Sequence, residues 1–262
     1  MPIGLADWRL PVSGPNAVRL AARLGADGIQ LDLGGPGRAP WLDEAERLCT
    51  LHKALEESGV VPLAVSANIL NDIGLTAKYG TDLAVQVRLI INRVLDVAAE
   101  LGVRLVLLPS FRCSAITNSS TFFRTVEVLR WACSEAHSRD LRLATENVLA
   151  PEQLVQLIDL VGASNLRVVL DTGNPLTVGL DPVAILQMAA PVLADQVHIK
   201  SSNDRALLSV GDPSVLSTLA ELSRANTIIN ALVVENDYRD GVLTRISADL
   251  NWLRAHLIRQ PV

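Results

Sequence analysis

Short β-branched, apolar segments alternate with longer amphipathic ones from one end of the chain to the other. The average period is about 33 residues, the size of one strand-plus-helix unit. The clearest short segments are 28–33, 60–65, 103–108, 166–170, 196–199 and 231–234, and two more begin near residues 3 and 141. Apolar runs this short and this continuous predict parallel strands covered on both faces. The longer segments place apolar residues at helical spacing. Leu83, Val87, Ile90, Ile91, Val94, Leu95, Ala98 and Leu101 form one stripe, and Leu243, Ile246, Leu250, Leu253 and Leu257 form another. Gly25, Gly59, Gly102 and Gly162 follow helical stretches, where the chain leaves the helix through a left-handed residue. Asp181-Pro182 and Asp212-Pro213 read as helix N-caps followed by a first-turn proline. Eight such units in 262 residues, with no linker or low-complexity stretch, predict an α/β fold, a single-domain (β/α)8 TIM barrel over residues 1–262. The rival architecture, a doubly wound sheet, would carry a glycine-rich phosphate loop after an early strand, and neither GxGxxG nor GxxxxGKS occurs.

Composition narrows the partners. A net charge of −5 with no basic run argues against a nucleic-acid or anionic-membrane partner. No apolar stretch reaches the ~18 residues a membrane span needs, and the start MPIGLADWRL lacks the pattern of a signal peptide. Cys49, Cys113 and Cys133 are odd in number and scattered, which predicts reduced thiols, a cytoplasmic protein and no cysteine zinc cluster. Aromatic residues are 3% of the chain, too few for a stacking platform. The partner expected is a small-molecule substrate, and the apolar helices suggest a homo-oligomer.

Barrel chemistry sits at the carboxyl ends of the strands, so the polar residues there matter most. In order they are Asp7 and Trp8, Asp32, Ser66 and Asn68, Ser110 and Arg112, Glu146 and Asn147, Asp171 and Asn174, His198 and Lys200, and Glu235 and Asn236. The longest irregular stretches, 34–40, 69–80 and 109–120, follow strands and fall on the same face. One carboxylate at a strand end is ordinary, because it can cap the next helix. Four consecutive strands ending in Glu146, Asp171, His198 and Glu235 are a different matter, since together they suit a divalent ion such as Mn²⁺, Mg²⁺ or Co²⁺. Of the four histidines, His52, His137 and His256 fall in helical stretches. Only His198 lies in a strand, flanked by Val197 and Ile199, and alternation points it into the barrel.

These positions resemble the motifs of the xylose-isomerase-like barrel superfamily, which includes sugar and sugar-phosphate isomerases, ketose 3-epimerases and inosose dehydratases. Glu146-Asn147, Asp171-Thr-Gly-Asn174, His198-Ile-Lys200 and Glu235 follow its order, at intervals of 25, 27 and 37 residues. The resemblance implies that Glu146, Asp171, His198 and Glu235 are metal ligands, and that Glu146 and Glu235 double as the acid/base pair. The chain departs from the pattern at Asn174 and Val148, where the family often has histidine, and at Ser201, where it has an acid. The family's DNA-repair endonucleases use a histidine-rich multi-zinc site, which one strand histidine cannot supply.

The implied chemistry is proton abstraction next to a carbonyl through a metal-stabilised enediolate, by an isomerase or epimerase of a small polyhydroxylated carbonyl compound. A dehydratase shares that first step. A non-catalytic ligand-binding barrel is the third reading, which the intact glutamate pair opposes. Substrate contacts fall to residues with two readings each. Lys200 holds a substrate oxygen or pairs with a carboxylate. Arg112 binds a phosphate or carboxylate, or is solvated. Trp8 walls a sugar ring or packs a strand end. Asp32 binds a hydroxyl or caps a helix. Asn68 completes the set, and Cys113 is read as an incidental thiol.

Overall fold

The computed structural model describes residues 1–210, 213–225 and 227–258. Eight strands, β1 (Ile3–Ala6), β2 (Gly28–Asp32), β3 (Val61–Ser66), β4 (Leu105–Pro109), β5 (Arg142–Glu146), β6 (Leu166–Asp171), β7 (Leu193–Ile199) and β8 (Ala231–Val234), pair in chain order, and β8 closes on β1. Every pair is parallel, with helices packed outside, so this is the expected (β/α)8 barrel.

The helices obey the sequence cues. Val87, Ile90, Ile91, Val94, Leu95 and Ala98 are buried in the helix Asp82–Glu100, while Leu83 in its first turn is exposed. Gly25, Gly59, Gly102 and Gly162 all have φ between +64° and +78°. The Asp181 side chain accepts the Val183 N–H at 2.9 Å. Pro213 opens a helix as expected, and Asp212 lies outside the described residues.

Two expectations need adjusting. β7 starts at Leu193, three residues before the predicted segment, because Asp195 does not break the strand. It is paired at the barrel base, accepting from Arg142 Nη2 and Asn230 Nδ2 at 2.8 Å each. The stretches 69–80 and 109–120 are not wholly irregular, since they hold the helical turns Leu70–Ile73 and Arg112–Ser114.

Inward-facing residues pack the lumen separately from the strand–helix core. Ala64, Leu105, Leu107, Ala144, Val169 and Ala194 form this inner cluster. Pairing between β2 and β3 jumps from Ile29–Pro62 to Gln30–Ala64, so Leu63 is the extra residue of a bulge. Its side chain fills the space left by two glycines of the neighbouring strands. A Cβ on Gly28 would lie 2.8 Å from Leu63 Cδ1. Gly28→Ala should therefore lower the unfolding free energy by about 1–3 kcal/mol, the usual penalty of overpacking. A urea midpoint equal to wild type would show that Leu63 gives way freely.

Candidate metal and catalytic site

The last four strands deliver one ligand type each. Glu146 ends β5, Asp171 ends β6, His198 is the penultimate residue of β7, and Glu235 follows β8. The β6–β7 register sets Asp171 directly beside His198. Val197 and Ile199 lie in the helix-side core, and His198 points inward between them. All four residues are buried, and one potential ligand atom from each lies within 4.8 Å of the others. His198 Nδ1 is 3.4 Å from Glu146 Oε2 and 3.6 Å from Glu235 Oε2.

Each carboxylate uses one oxygen on the protein. Asp171 Oδ1 accepts the Gly173 N–H at 2.8 Å and also the Asn174 N–H. That turn needs glycine, because a Cβ on Gly173 would lie 2.8 Å from the Ser201 carbonyl oxygen. Glu146 Oε1 accepts from Asn174 Nδ2 at 2.7 Å, and Asn174 Oδ1 accepts from Lys200 Nζ at 2.8 Å. Glu235 Oε1 accepts from Trp8 Nε1 at 2.7 Å and from Arg9 Nε at 3.3 Å. Asp171 Oδ2, Glu235 Oε2 and His198 Nδ1 are left buried without a hydrogen-bond partner. Native interiors leave few polar atoms in that state. Oxygen-rich ligands with one imidazole fit a divalent ion.

A second set of residues orients the imidazole. Gln196 Nε2 donates to the Leu63 carbonyl at 2.7 Å, and Gln30 Nε2 donates to Gln196 Oε1 at 2.9 Å. Gln30 Oε1 is thereby left to accept from His198 Nε2, 2.9 Å away. A backbone carbonyl only accepts, so the direction of the whole chain follows from its anchor. The proton of His198 is held on Nε2, and Nδ1 faces the carboxylates. Burial alone would lower the His198 pKa. The charges of Glu146, Glu235 and Asp171 outweigh it and push the value up to about 9, so a cation binding there displaces a proton. Replacing Gln30 by leucine, of similar volume, should weaken Mn²⁺ binding about 10–100-fold, as loss of an outer hydrogen bond to a ligand histidine does. Calorimetry giving wild-type affinity would show that the amide chain does not set the ligand.

A cleft of about 920 Å³ opens above this cluster, and Trp8, Asp32, Asn68, Arg112, Glu146 and Glu235 all line it. These six of the strand-end residues singled out from the sequence therefore converge, whereas Asn147 caps the Leu149 N–H and Asn236 donates to Asp249 and the Ala206 carbonyl. The Trp8 indole N–H holds Glu235. Lys200 is buried, 3.6 Å from Glu235 Oε2, so it reaches the acidic cluster. Its pKa is raised: burial opposes the charge, but Glu235 and Asp171 prevail. Asp32 accepts the Asn68 N–H at 3.2 Å, and Asn68 Nδ2 is buried with no partner. Arg112 stands at the rim, 60% exposed, 2.7 Å from Asp72. Sequence reading passed over Arg9, Arg38, Gln30 and Gln196. The glutamines had a usable signal: each is polar in an apolar strand, two residues before a mouth residue, and so faces inward.

Fold and site together define a (β/α)8 barrel with a buried carboxylate–histidine centre at its carboxyl-terminal face. The chain belongs to the xylose isomerase-like TIM barrel family, which matches residues 18–256. It is 46% identical over 256 residues to the 2-epi-5-epi-valiolone 7-phosphate 2-epimerase of an Actinoplanes species, covering 96% of this chain and 93% of that one. Among solved structures, the xylose isomerase domain protein of Planctomyces limnophilus superposes with a TM-score of 0.80 at 17% identity, over 97% of this chain and 96% of that one. D-psicose 3-epimerase of Clostridium cellulolyticum H10, solved with D-tagatose, gives 0.78 at 15% identity, over 98% and 99%. These two show likeness of fold.

Proposed function

We propose that the protein is a divalent-metal-dependent epimerase of a small polyhydroxylated carbonyl compound carrying a phosphate ester. The carrying observation is the convergence of three buried atoms without a hydrogen-bond partner, Asp171 Oδ2, His198 Nδ1 and Glu235 Oε2, beside Glu146. The epimerase class and the phosphate are supported by the 46% identical relative, whose name states both. Glu146, Asp171, His198 and Glu235 hold the ion, for which Mn²⁺, Mg²⁺ and Co²⁺ are suited. When bound, it supplies positive charge next to the substrate oxygen that becomes negative.

The chain's own residues then move the proton. Burial alone would raise the Glu235 pKa, but Lys200, Arg9, His198 and the Trp8 hydrogen bond outweigh it and keep the group ionised, well below the usual carboxylate range. Glu235 and Glu146 come from strands on either side of β6 and β7. In this reading one takes the proton from one face of the carbon and the other returns it on the opposite face. Lys200 and Asn68 hold substrate oxygens, Asp32 takes a hydroxyl, and Trp8 covers the ring. The three free cysteines suit a reducing cytoplasm. No helix among the described residues is long and apolar enough to cross a membrane.

The test is incubation with 2-epi-5-epi-valiolone 7-phosphate in D₂O with Mn²⁺. Deuterium gain with inversion at one carbon is the expected result. Loss of water from the substrate would make the protein a dehydratase, and the absence of both reactions across sugar phosphates would remove the proposal.

A further inference from the structure

Four arginines line the cleft: Arg9, Arg38, Arg112 and Arg239. Two are already engaged. Arg239 forks onto Asp237 at 2.7 and 2.8 Å, and Arg9 is divided between Glu235 and Asp204 at 3.3 Å each. Arg38 and Arg112 are arranged differently. The loops after β2 and β4 bring them onto a single carboxylate, Asp72, in the turn Leu70–Ile73 that follows β3. Arg38 Nε is 2.7 Å from Asp72 Oδ2, and Arg112 Nη2 is 2.7 Å from Oδ1. Arg38 also lies 3.6 Å from Asp32. The Arg112 side chain makes no other ion pair among the described residues.

The backbone of Arg112 adds a second observation. Its φ is +50°, a conformation that side-chain-bearing residues seldom adopt. Contacts on both sides of it hold that shape: Phe111 N–H donates to Asn71 Oδ1 at 2.8 Å, and Ser114 Oγ donates to the Leu70 carbonyl at 2.6 Å. Such strain persists where the surroundings over-determine it, and it is found at ligand clamps. The Arg38–Arg112 pair stands on the β2–β4 arc of the mouth, and the four candidate ligands stand on the β5–β8 arc. A substrate that spans the mouth meets acid/base groups at one end and two guanidinium groups at the other.

We infer that Arg38 and Arg112 form the subsite for the substrate's phosphate ester, with Asp72 holding the two guanidinium groups in place until the phosphate displaces it. Guanidinium forks match phosphate oxygens in pairs, and a phosphate monoester brings nearly two negative charges where Asp72 brings one. The Asp72 side chain is 37% exposed, so it has solvent to turn towards. This inference rests on the epimerase reading for its substrate, but its anion chemistry is testable separately.

The experiment compares wild type with Arg112→Ala, whose exposed side chain can be removed without opening the core. Metal-loaded enzyme is assayed with 2-epi-5-epi-valiolone 7-phosphate and with the dephosphorylated compound. Arg112→Ala should raise KM for the phosphate ester at least about tenfold more than for the dephosphorylated compound, with kcat changed by less than about threefold, the pattern of a lost ground-state contact. Arg112→Lys, which keeps the charge but not the fork, should fall between. Inorganic phosphate, titrated by calorimetry, should bind wild type more tightly than Arg112→Ala or Arg38→Ala, and Asp72→Asn should bind it more tightly than wild type. An epimerase whose KM for the two compounds responds equally to Arg112→Ala keeps its proposed function and loses this subsite. A protein that turns over neither compound, yet binds phosphate through Arg112, keeps the subsite and loses the function. Weaker phosphate binding by Asp72→Asn would overturn the displacement of Asp72.

Discussion

Glutamine at position 146 or 235 should lower turnover about 10²–10⁴-fold, the loss expected when a positioned acid/base group is removed. The substitution is a mild one structurally. The amide oxygen of Gln at 146 can still accept from Asn174, and that at 235 can still accept from Trp8, so the bonds that orient each side chain are retained. What disappears is the ability to take up a proton. Metal affinity should fall as well, because keeping that bond turns the amide nitrogen, which only donates, towards the other candidate ligands. The two variants should also differ from each other. If the glutamates serve opposite faces, one variant still exchanges the C–H of one epimer with D₂O without inverting it, and the other does so for the opposite epimer. Equal loss of exchange for both epimers in both variants would point to one-base chemistry. Near-wild-type turnover by either variant would remove that glutamate from the mechanism.

Removal of the His198 imidazole should weaken divalent-ion binding about a hundredfold or more, beyond the 10–100-fold typical of losing only its outer hydrogen bond. His198→Ala takes away the single nitrogen of the ligand set and leaves Asp171, Glu146 and Glu235 facing one another. It also leaves Gln30 Oε1 without its donor at the end of the amide chain. Chelator-treated protein titrated with Mn²⁺ reads the effect directly, and circular dichroism checks that the barrel is intact. The expected order is wild type, then Gln30→Leu, then His198→Ala. Equal affinity in wild type and His198→Ala would mean that the cluster is not a metal centre.

The strand count and the candidate ligands were legible in the sequence because both depend on local rules. β-branched apolar runs mark buried parallel strands, and two-residue alternation then decides which side chains face inward. His198 and Lys200 share a face for that reason, as do Gln30 and Asp32 on β2. What was not legible depends on pairings across the lumen or between loops. Nothing local says that Gln30 and Gln196, 166 residues apart, donate and accept in series. Nor does spacing reveal that Asp72 is shared by Arg38 and Arg112 from two other loops. Asp195 misled for the opposite reason, because a charge inside an apolar run reads as a strand boundary until its partners Arg142 and Asn230 are seen.

The bulge at Leu63 ties the floor of the barrel to its chemistry. The side chain of that residue plugs the gap over Gly4 and Gly28, while its carbonyl anchors the amides that end on His198. A substitution at any of these floor positions shifts the anchor and, through two glutamines, the imidazole. Changes at the floor can thus reach the candidate metal site without altering any residue that lines the cleft.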